Sequence, residues 1–369
     1  MTNADLSVDT IIVLDISSSD GVGAVTFHPD GRHILGGSSI GIRRRQLEDS
    51  QVVRKHTGKD LHAISVSKDG KWMVCATAEG GTNVWDAEMQ KKLIDVQHGK
   101  TVMTIDVSPD STRFATGTGW GDNKASVWSL TSGEQLVGPL NHDSYVTVIR
   151  FSPNSECIAT ACWRSSIRVF DSRNGDELII IKTITPPRWP STLLAWSNDS
   201  QRIFAPSEDN RIKSFDVSMG LQLAESQTLH GGDVESIALA ASGKFIATYT
   251  RGSVISFLET SSLSLIDPVI EDSKNNIYSV ALSPDSGYLA TGQNDGKIII
   301  RDLGDILPDV YGPFHVSISP FTVLACQISL ISSPIFTHYV RHLIAGKDNQ
   351  ASCLQHRVVV TTNHLVLPR

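Results

Sequence analysis

Three histidines are the first residues whose type and spacing suggest chemistry. His98, His142 and His230 each lie seven residues before an isoleucine, and an imidazole nitrogen can bind zinc. A zinc ion, however, needs several ligands that converge at about 2 Å. Each of these histidines belongs to a different copy of a sequence repeat that is described below, which places the three far apart. Their spacing therefore favours structural hydrogen bonds and predicts no metal site.

A second candidate, Gly37-Ser38-Ser39-Ile40-Gly41, matches the G-x-S-x-G pattern of hydrolases. That chemistry needs the serine on a sharp turn between a strand and a helix, beside a positioned histidine. The following Ile42-Arg43-Arg44-Arg45 predicts another strand, so we interpret the segment as a glycine-rich turn. Three arginines fall short of basic clusters of about five to eight residues, and we expect them at a solvated sheet edge.

Composition limits the function classes. The chain has 369 residues, of which 40% are apolar, enough for a large core without disulfide or metal staples. Its net charge of −7 gives no general attraction to nucleic acid or anionic lipid. Five cysteines and a start without a secretory pattern indicate a reducing compartment, cytoplasmic or nuclear.

A short block, an apolar residue followed by Ser-Pro-Asp or a variant of it, recurs along the chain. Successive blocks start 39, 41, 44, 45, 43 and 43 residues apart, a period typical of repeat architectures. The seven blocks are Phe27-His28-Pro29-Asp30, Val66-Ser67-Lys68-Asp69, Val107-Ser108-Pro109-Asp110, Phe151-Ser152-Pro153-Asn154, Trp196-Ser197-Asn198-Asp199, Leu239-Ala240-Ala241-Ser242 and Leu282-Ser283-Pro284-Asp285.

Each block predicts the end of a strand and a tight turn, and three further strands follow before the next block. Phe114 to Gly117 is an example of the second strand and Ser126 to Ser129 of the third. Lys92 to Val96 and Leu263 to Ile266 are examples of the fourth. Only six fourth strands are found for seven blocks. Ile11 to Leu14 can supply the missing one and close a ring, which removes exposed sheet edges.

The third strands carry Trp85-Asp86, Trp128-Ser129, Phe170-Asp171 and Phe215-Asp216, and with the period they resemble the WD-repeat (WD40) family. The resemblance covers about residues 10 to 305. It implies an all-β, seven-bladed propeller of four-stranded antiparallel blades in residues 1–305, closed by the N-terminal strand. For the C-terminal extension, residues 306–369, three alternatives stay open: it packs on the propeller, forms a partial additional blade or is disordered.

The resemblance also implies a polar network in each blade, made by a histidine before the first strand, a turn aspartate and a strand serine or threonine. His98, His142 and His230 match the histidine place, and Asp122, Asp209 and Asp295 match the aspartate place. No single repeat keeps the complete set, so we expect partial networks.

The innermost strands carry few ionisable residues. Asp106 and Arg150 occupy equivalent places in adjacent repeats, and we expect a structural ion pair near the central channel rather than a catalytic pair. A propeller-type hydrolase would need acidic residues and histidines converging on that channel, and the inner strands predict no such ring. We therefore expect no catalytic residue and no cofactor, and the hydrolase is kept as a rival class.

Large side chains in the loops of three neighbouring repeats give the most useful functional signal. Turns between second and third strands, and loops entering first strands, emerge on one face because successive strands are antiparallel. Trp and Arg dominate binding hot spots, so these residues predict a contact patch for a protein or peptide partner; alternatively, each covers only its own loop. The residues are Trp120, Trp163, Arg164, Arg188 and Trp189.

The stretch 310–340 contains no Asp, Glu, Lys or Arg. Within it, residues 316–336 are long enough to cross a bilayer, but Pro320, Pro334, Gln327 and five serines weaken insertion.

The sequence therefore favours an interaction scaffold without enzymatic activity, because WD-repeat proteins typically bind other proteins. A membrane-associated scaffold anchored through this tail is the other alternative.

Overall fold

The structure is a computed structural model, and it describes residues 10–15, 21–38, 41–47, 52–55, 61–89, 91–119, 121–163, 165–181, 193–207, 209–271, 277–307, 310, 360–361 and 364–365. The chain divides into two compact units, Met1–Ser317 and Ile318–Arg369. In the second unit, β29 (Val360–Thr361) pairs antiparallel with β30 (His364–Leu365).

The first unit holds seven four-stranded antiparallel sheets, which are the blades of a propeller. The strands of each blade are given from the innermost to the outermost. Blade 1 contains β2 (Ala24–Phe27), β3 (His33–Ser38), β4 (Gly41–Gln46) and β5 (Val52–Lys55), and blade 2 contains β6 (Leu61–Val66), β7 (Trp72–Thr77), β8 (Gly81–Asp86) and β9 (Lys92–Gln97). Blade 3 contains β10 (Val102–Val107), β11 (Arg113–Thr118), β12 (Lys124–Ser129) and β13 (Gln135–Asn141), and blade 4 contains β14 (Val146–Phe151), β15 (Cys157–Cys162), β16 (Ile167–Asp171) and β17 (Glu177–Ile181). Blades 5 to 7 are β18 (Ala195–Trp196), β19 (Arg202–Pro206), β20 (Ile212–Asp216), β21 (Gln222–Glu225); β22 (Val234–Leu239), β23 (Phe245–Thr250), β24 (Val254–Glu259), β25 (Leu265–Glu271); and β26 (Ile277–Leu282), β27 (Tyr288–Gln293), β28 (Lys297–Asp302) with β1 (Thr10–Asp15).

The ring closes as the sequence predicts. Strand β1 pairs with β28, from Thr10 opposite Arg301 to Asp15 opposite Lys297, and becomes the outermost strand of blade 7. The predicted seven-bladed, all-β architecture is therefore confirmed. A short helix, α1 (Leu303–Ile306), follows the last blade, and its Leu303 packs in one buried cluster with Phe245 and Phe257.

Buried apolar side chains hold neighbouring blades together. Between blades 3 and 4, for example, Ile149 and Phe151 pack in one cluster with Ala115 and Val127. Burying an Ile or Phe side chain contributes about 1.5–3 kcal/mol, so these clusters supply most of the stabilisation between blades.

The turn between the first and second strands has the same hydrogen bonds in most blades. In five of them a serine hydroxyl donates to the side-chain oxygen of the Asp or Asn two residues later, at 2.5–2.6 Å. In several blades the next residue is a serine with positive φ, whose hydroxyl accepts a backbone N–H from the turn of the preceding blade. These links are Asp69 to Ser111, Asp110 to Ser155, Asn154 to Ser200 and Ala241 to Ser286.

The predicted polar networks form in part. The His98 ring contacts the Thr82 hydroxyl at 3.0 Å, and the His142 ring lies 2.9 Å from both the Thr160 hydroxyl and the Leu140 carbonyl. Burial lowers the pKa of each of these two imidazoles to about 4. His230 departs from the pattern: its side chain is exposed, and its backbone carbonyl accepts the hydrogen bond from Thr250.

The prediction of a solvated arginine edge is wrong. Arg43 and Arg44 are only 7% and 6% exposed. Their strand, β4, is the third strand of blade 1, and blade 2 covers one of its faces. The Arg44 guanidinium donates to the Glu88 carboxylate of blade 2 at 2.5 Å. The predicted absence of a helix after the glycine-rich turn is confirmed, since β4 begins at Gly41.

Candidate functional site

One face of the propeller, here called the loop face, carries the turns between second and third strands and the loops that enter the first strands. The register places these ends together: Val102 lies opposite Thr118 in blade 3, and Val146 lies opposite Cys162 in blade 4. Side chains from neighbouring blades can therefore approach one another on this face. Trp163, one of the predicted anchors, follows β15 at this end of blade 4.

The structure describes one of the five predicted anchors. Trp163 lies at the turn after β15, is partly exposed, and its backbone N–H donates to the Tyr145 carbonyl at 2.9 Å. This hydrogen bond fixes the turn against the loop that enters blade 4. Trp120, Arg164, Arg188 and Trp189 lie outside the described residues.

Tyr145 connects two of the predicted turns, and no sequence motif marks it. On one side its carbonyl holds Trp163. On the other side it packs close to Gly119, where an added Cβ would lie 3.5 Å from the Tyr145 Cβ and 2.9 Å from the Met103 Cγ. The turns of blades 3 and 4 that carry Trp120 and Trp163 therefore begin on either side of one tyrosine.

The loop face has two further features that the sequence pattern did not indicate. Tyr278 lies at the mouth of the central channel beside Gly21 and is 48% exposed. In blade 6, Arg251 pairs with Glu235 at 3.0 Å and with Asp233 at 3.7 Å, and all three side chains are accessible to solvent. Exposed ion pairs add little stability. These three charged groups on the loop face are therefore accessible to a partner at little cost to the fold.

The central channel is lined by the innermost strands of all seven blades, mostly with small and apolar residues. Asp106 and Arg150 line it, but the predicted ion pair between them does not form. Asp106 accepts the Phe151 backbone N–H at 2.8 Å, and Arg150 donates to the carbonyls of Ile149 and Ile105 at 2.8 and 3.3 Å. Each side chain is hydrogen-bonded to backbone instead, Asp106 to the neighbouring blade and Arg150 to its own strand and the neighbouring blade.

Burial raises the pKa of the Asp106 carboxyl, and the nearby positive charge of Arg150 only partly opposes this shift. A single carboxylate bonded to backbone in this way resembles a structural group more than a catalytic base. His62 of blade 2 also lines the channel, so Asp106 and His62 are the acid and the histidine among its described lining residues. A hydrolytic site would need several such groups converging on one point.

The segment proposed for membrane attachment, residues 316–336, lies outside the described residues. Among the helices that the structure describes, none has the length and apolar character needed to span a bilayer.

Comparison with known proteins agrees with the repeat pattern. The family model described as "WD domain, G-beta repeat" matches residues 48–86, 91–129, 134–171 and 268–302. Each of the first three matches covers the outer strand of one blade and the three inner strands of the next, from β5 to β8, from β9 to β12 and from β13 to β16. The fourth match runs from within β25 to the end of β28.

The chain is also similar to several curated proteins. It is 24% identical to Actin-interacting protein 1 of Caenorhabditis elegans over 269 residues. These aligned residues cover 70% of this chain and 42% of that relative. It is 32% identical over 136 residues to Small ribosomal subunit protein RACK1 of Drosophila melanogaster, covering 35% of this chain and 42% of that protein.

A third relative is the Guanine nucleotide-binding protein subunit beta-like protein of Encephalitozoon cuniculi. It is 21% identical over 280 residues, which cover 69% of this chain and 83% of the relative. The chain thus spans less than half the length of the nematode and fly proteins.

Proposed function

Because this chain belongs to the WD-repeat family of β-propellers, we propose that it works as a protein-interaction scaffold whose loop face binds a protein or peptide partner. The anchors of this contact are Trp120, Trp163, Arg164, Arg188 and Trp189. Binding, rather than catalysis, is the proposed role, with no cofactor.

The observation that carries this proposal is the arrangement around Tyr145. Its carbonyl fixes the Trp163 turn, and it packs beside Gly119 at the start of the neighbouring turn. A turn held by its backbone loses less conformational freedom when a partner binds, so its large side chains can contribute more to affinity. Aromatic side chains on rigid supports are typical binding hot spots.

The relatives support the same class of function. Their names refer to an actin interaction, to the small ribosomal subunit and to a subunit of a guanine-nucleotide-binding protein. By analogy we propose a protein partner for this chain, in the cytoplasm or the nucleus. The described cysteines Cys75, Cys157 and Cys162 are free thiols, which supports a reducing compartment.

The test compares two alanine variants of the full chain by affinity capture with mass spectrometry. One replaces Trp163, Arg164, Arg188 and Trp189. The control replaces Lys71 and Arg173, whose side chains are 75% and 69% exposed and lie at turns of the opposite face. We expect the first variant to lose specific partners while its melting temperature stays near that of the wild type, and the control to keep them. Unchanged partners with an unchanged fold would exclude the loop face.

The tail alternative is tested separately by removing residues after 317, not after 305. The proposed division at residue 305 remains a prediction, and a cut there would remove Ile306 and Leu307, which are buried in the same cluster as Phe245. If membrane fractionation or partners depend on residues 318–369, the attachment lies in the tail. Full release by salt or alkaline wash would exclude a membrane anchor.

A further inference from the structure

We infer that the first turn of blade 1 is a binding site for a divalent transition-metal cation such as Zn²⁺, with His28, Asp30 and His33 as its ligands. The sequence pattern directs attention to the histidines at the opposite face. In the part of the chain that the structure describes, however, this turn is the one place where three ligand atoms from His, Cys, Asp or Glu lie within 4.8 Å of one another.

The ligand atoms converge on one carboxylate oxygen. Asp30 Oδ2 lies 3.0 Å from His28 Nδ1 and 2.7 Å from His33 Nδ1. Tetrahedral zinc with bonds of about 2.0–2.1 Å places its ligand atoms about 3.3 Å apart. Small rotations of the side chains therefore open the turn enough to admit the ion.

The His28 ring already has the orientation and tautomer that a ligand needs. Its Nε2 donates to the Gly70 carbonyl of blade 2 at 3.2 Å, so the hydrogen is on Nε2. Its Nδ1 accepts the Asp30 backbone N–H at 3.3 Å and therefore carries a lone pair, and a bound ion would replace this long hydrogen bond. Metal-binding histidines commonly donate their second ring N–H to a backbone carbonyl in this way.

The Gly70 position makes room for this ring. Gly70 has a φ of +71°, and a Cβ there would lie 3.1 Å from His28 Cε1. The ring is thus enclosed between blades 1 and 2, and the whole His28 residue is only 8% exposed. An enclosed ring has few alternative rotamers, which favours a preformed ligand.

The Asp30 carboxylate is held in place as well. Its Oδ1 accepts the backbone N–H groups of Arg32 and His33 at 2.8 and 3.1 Å, which leaves Oδ2 directed at the two imidazoles. The side chains of Asp30 and His33 are 33% and 22% exposed, so a fourth coordination position is open to water or to a ligand from a partner. Two imidazoles and one carboxylate are a ligand set that suits zinc.

The other blades provide an internal comparison. At the place of His28, five blades have a serine that bonds the Asp or Asn two residues later. At the place of His33 they have Trp72, Arg113, Cys157, Arg202 and Tyr288. The ordinary turn therefore forms without either histidine, and the pair in blade 1 is not needed for the backbone fold.

The test titrates the full chain, freed of metal by a chelator and dialysis, with Co²⁺, and then displaces Co²⁺ with Zn²⁺. Tetrahedral Co²⁺ absorbs visible light far more strongly than the octahedral hydrated ion, so the absorption reports transfer of Co²⁺ into a four-coordinate site. We expect one equivalent to bind, and His28→Ser and His33→Tyr each to weaken Co²⁺ binding by at least about ten-fold. Both variants introduce a residue that another blade carries at that place, and circular dichroism checks their folding.

Two controls separate this site from other histidines. His230→Gln changes an exposed histidine on the loop face, and the double variant His338→Gln with His342→Gln changes the pair in the tail. Binding retained in both controls and weakened in His28→Ser and His33→Tyr supports the site. No Co²⁺ uptake by the wild type, or binding that depends on the tail pair instead, overturns it. If His28→Ser fails to fold, His33→Tyr alone decides.

Discussion

The buried His142 makes a specific prediction about stability at mildly acidic pH. Its neutral ring can donate from Nδ1 to the Leu140 carbonyl and accept at Nε2 from the Thr160 hydroxyl. Burial lowers its pKa from 6.5 to about 4. An unfolded chain takes up a proton as the pH falls through about 6.5, whereas the folded chain resists protonation until about pH 4. Stability is therefore complete above pH 6.5 and is lost as the pH falls toward 4.

The magnitude follows from the two pKa values. At pH 5 the unfolded histidine is almost fully protonated and the folded one is mostly neutral, which lowers the free energy of unfolding by about 2 kcal/mol for His142. His98 has its pKa lowered to about the same value, so it adds a loss of similar size. Equilibrium urea unfolding at pH 7 and pH 5 measures the total.

Two variants isolate the contribution of His142. His142→Gln removes its titration, and we expect this variant to lose about 2 kcal/mol less than the wild type between pH 7 and pH 5. His230→Gln changes the exposed histidine at the same place in blade 6, and it should lose as much as the wild type. Equal losses in His142→Gln and the wild type would refute the reasoning.

Three further predictions concern contacts between blades, and urea unfolding at pH 7 tests each of them. Ser155 has a φ of 63°, and its hydroxyl accepts the Asp110 N–H. Ser155→Ala should therefore cost about 1 kcal/mol, whereas Ser155→Gly should be nearly neutral because glycine relieves the positive φ. Equal costs of the two variants would contradict this reasoning. A Cβ on Gly117 would lie 2.6 Å from Val146 Cγ1, so Gly117→Ala should cost about 1–3 kcal/mol, and Gly23→Ala, whose nearest neighbour is at 3.7 Å, should cost little. Glu88→Ala removes the carboxylate that pairs with the buried Arg44 charge and should cost about 1 kcal/mol. Arg44→Met removes the buried charge itself and should cost less. The reverse order would contradict the idea that an uncompensated buried charge is costly.

Much of the fold can be predicted from the sequence because each blade repeats the same local chemistry. The Ser-Pro-Asp turns specify where the first strand ends, and the closing strand follows from the count of outer strands. Boundaries are less predictable: the sequence predicts the fourth strand of blade 6 at Leu263 to Ile266, but Leu263 has a φ of 57° in the preceding turn and the strand spans Leu265–Glu271.

Contacts between neighbouring blades, made by residues far apart in the sequence, explain what sequence reasoning misses. The burial of Arg44 depends on Glu88 in the next blade, and the separation of Asp106 from Arg150 depends on nearby backbone groups. Tyr145 belongs to no motif, because its role comes from the two turns that meet beside it. The His28, Asp30 and His33 cluster is visible in the sequence only by comparing all seven turns at once.

The proposal that the loop face binds a protein is tested most directly by the dissociation constant of a purified partner. The proteins to compare are the wild type, Trp163→Ala and the opposite-face control Arg173→Ala, each checked for melting temperature. A hot-spot residue contributes about 2 kcal/mol or more, so we predict at least a 30-fold weaker binding for Trp163→Ala and no change for Arg173→Ala. Equal affinity of all three would contradict a contact on the loop face at blades 3 and 4.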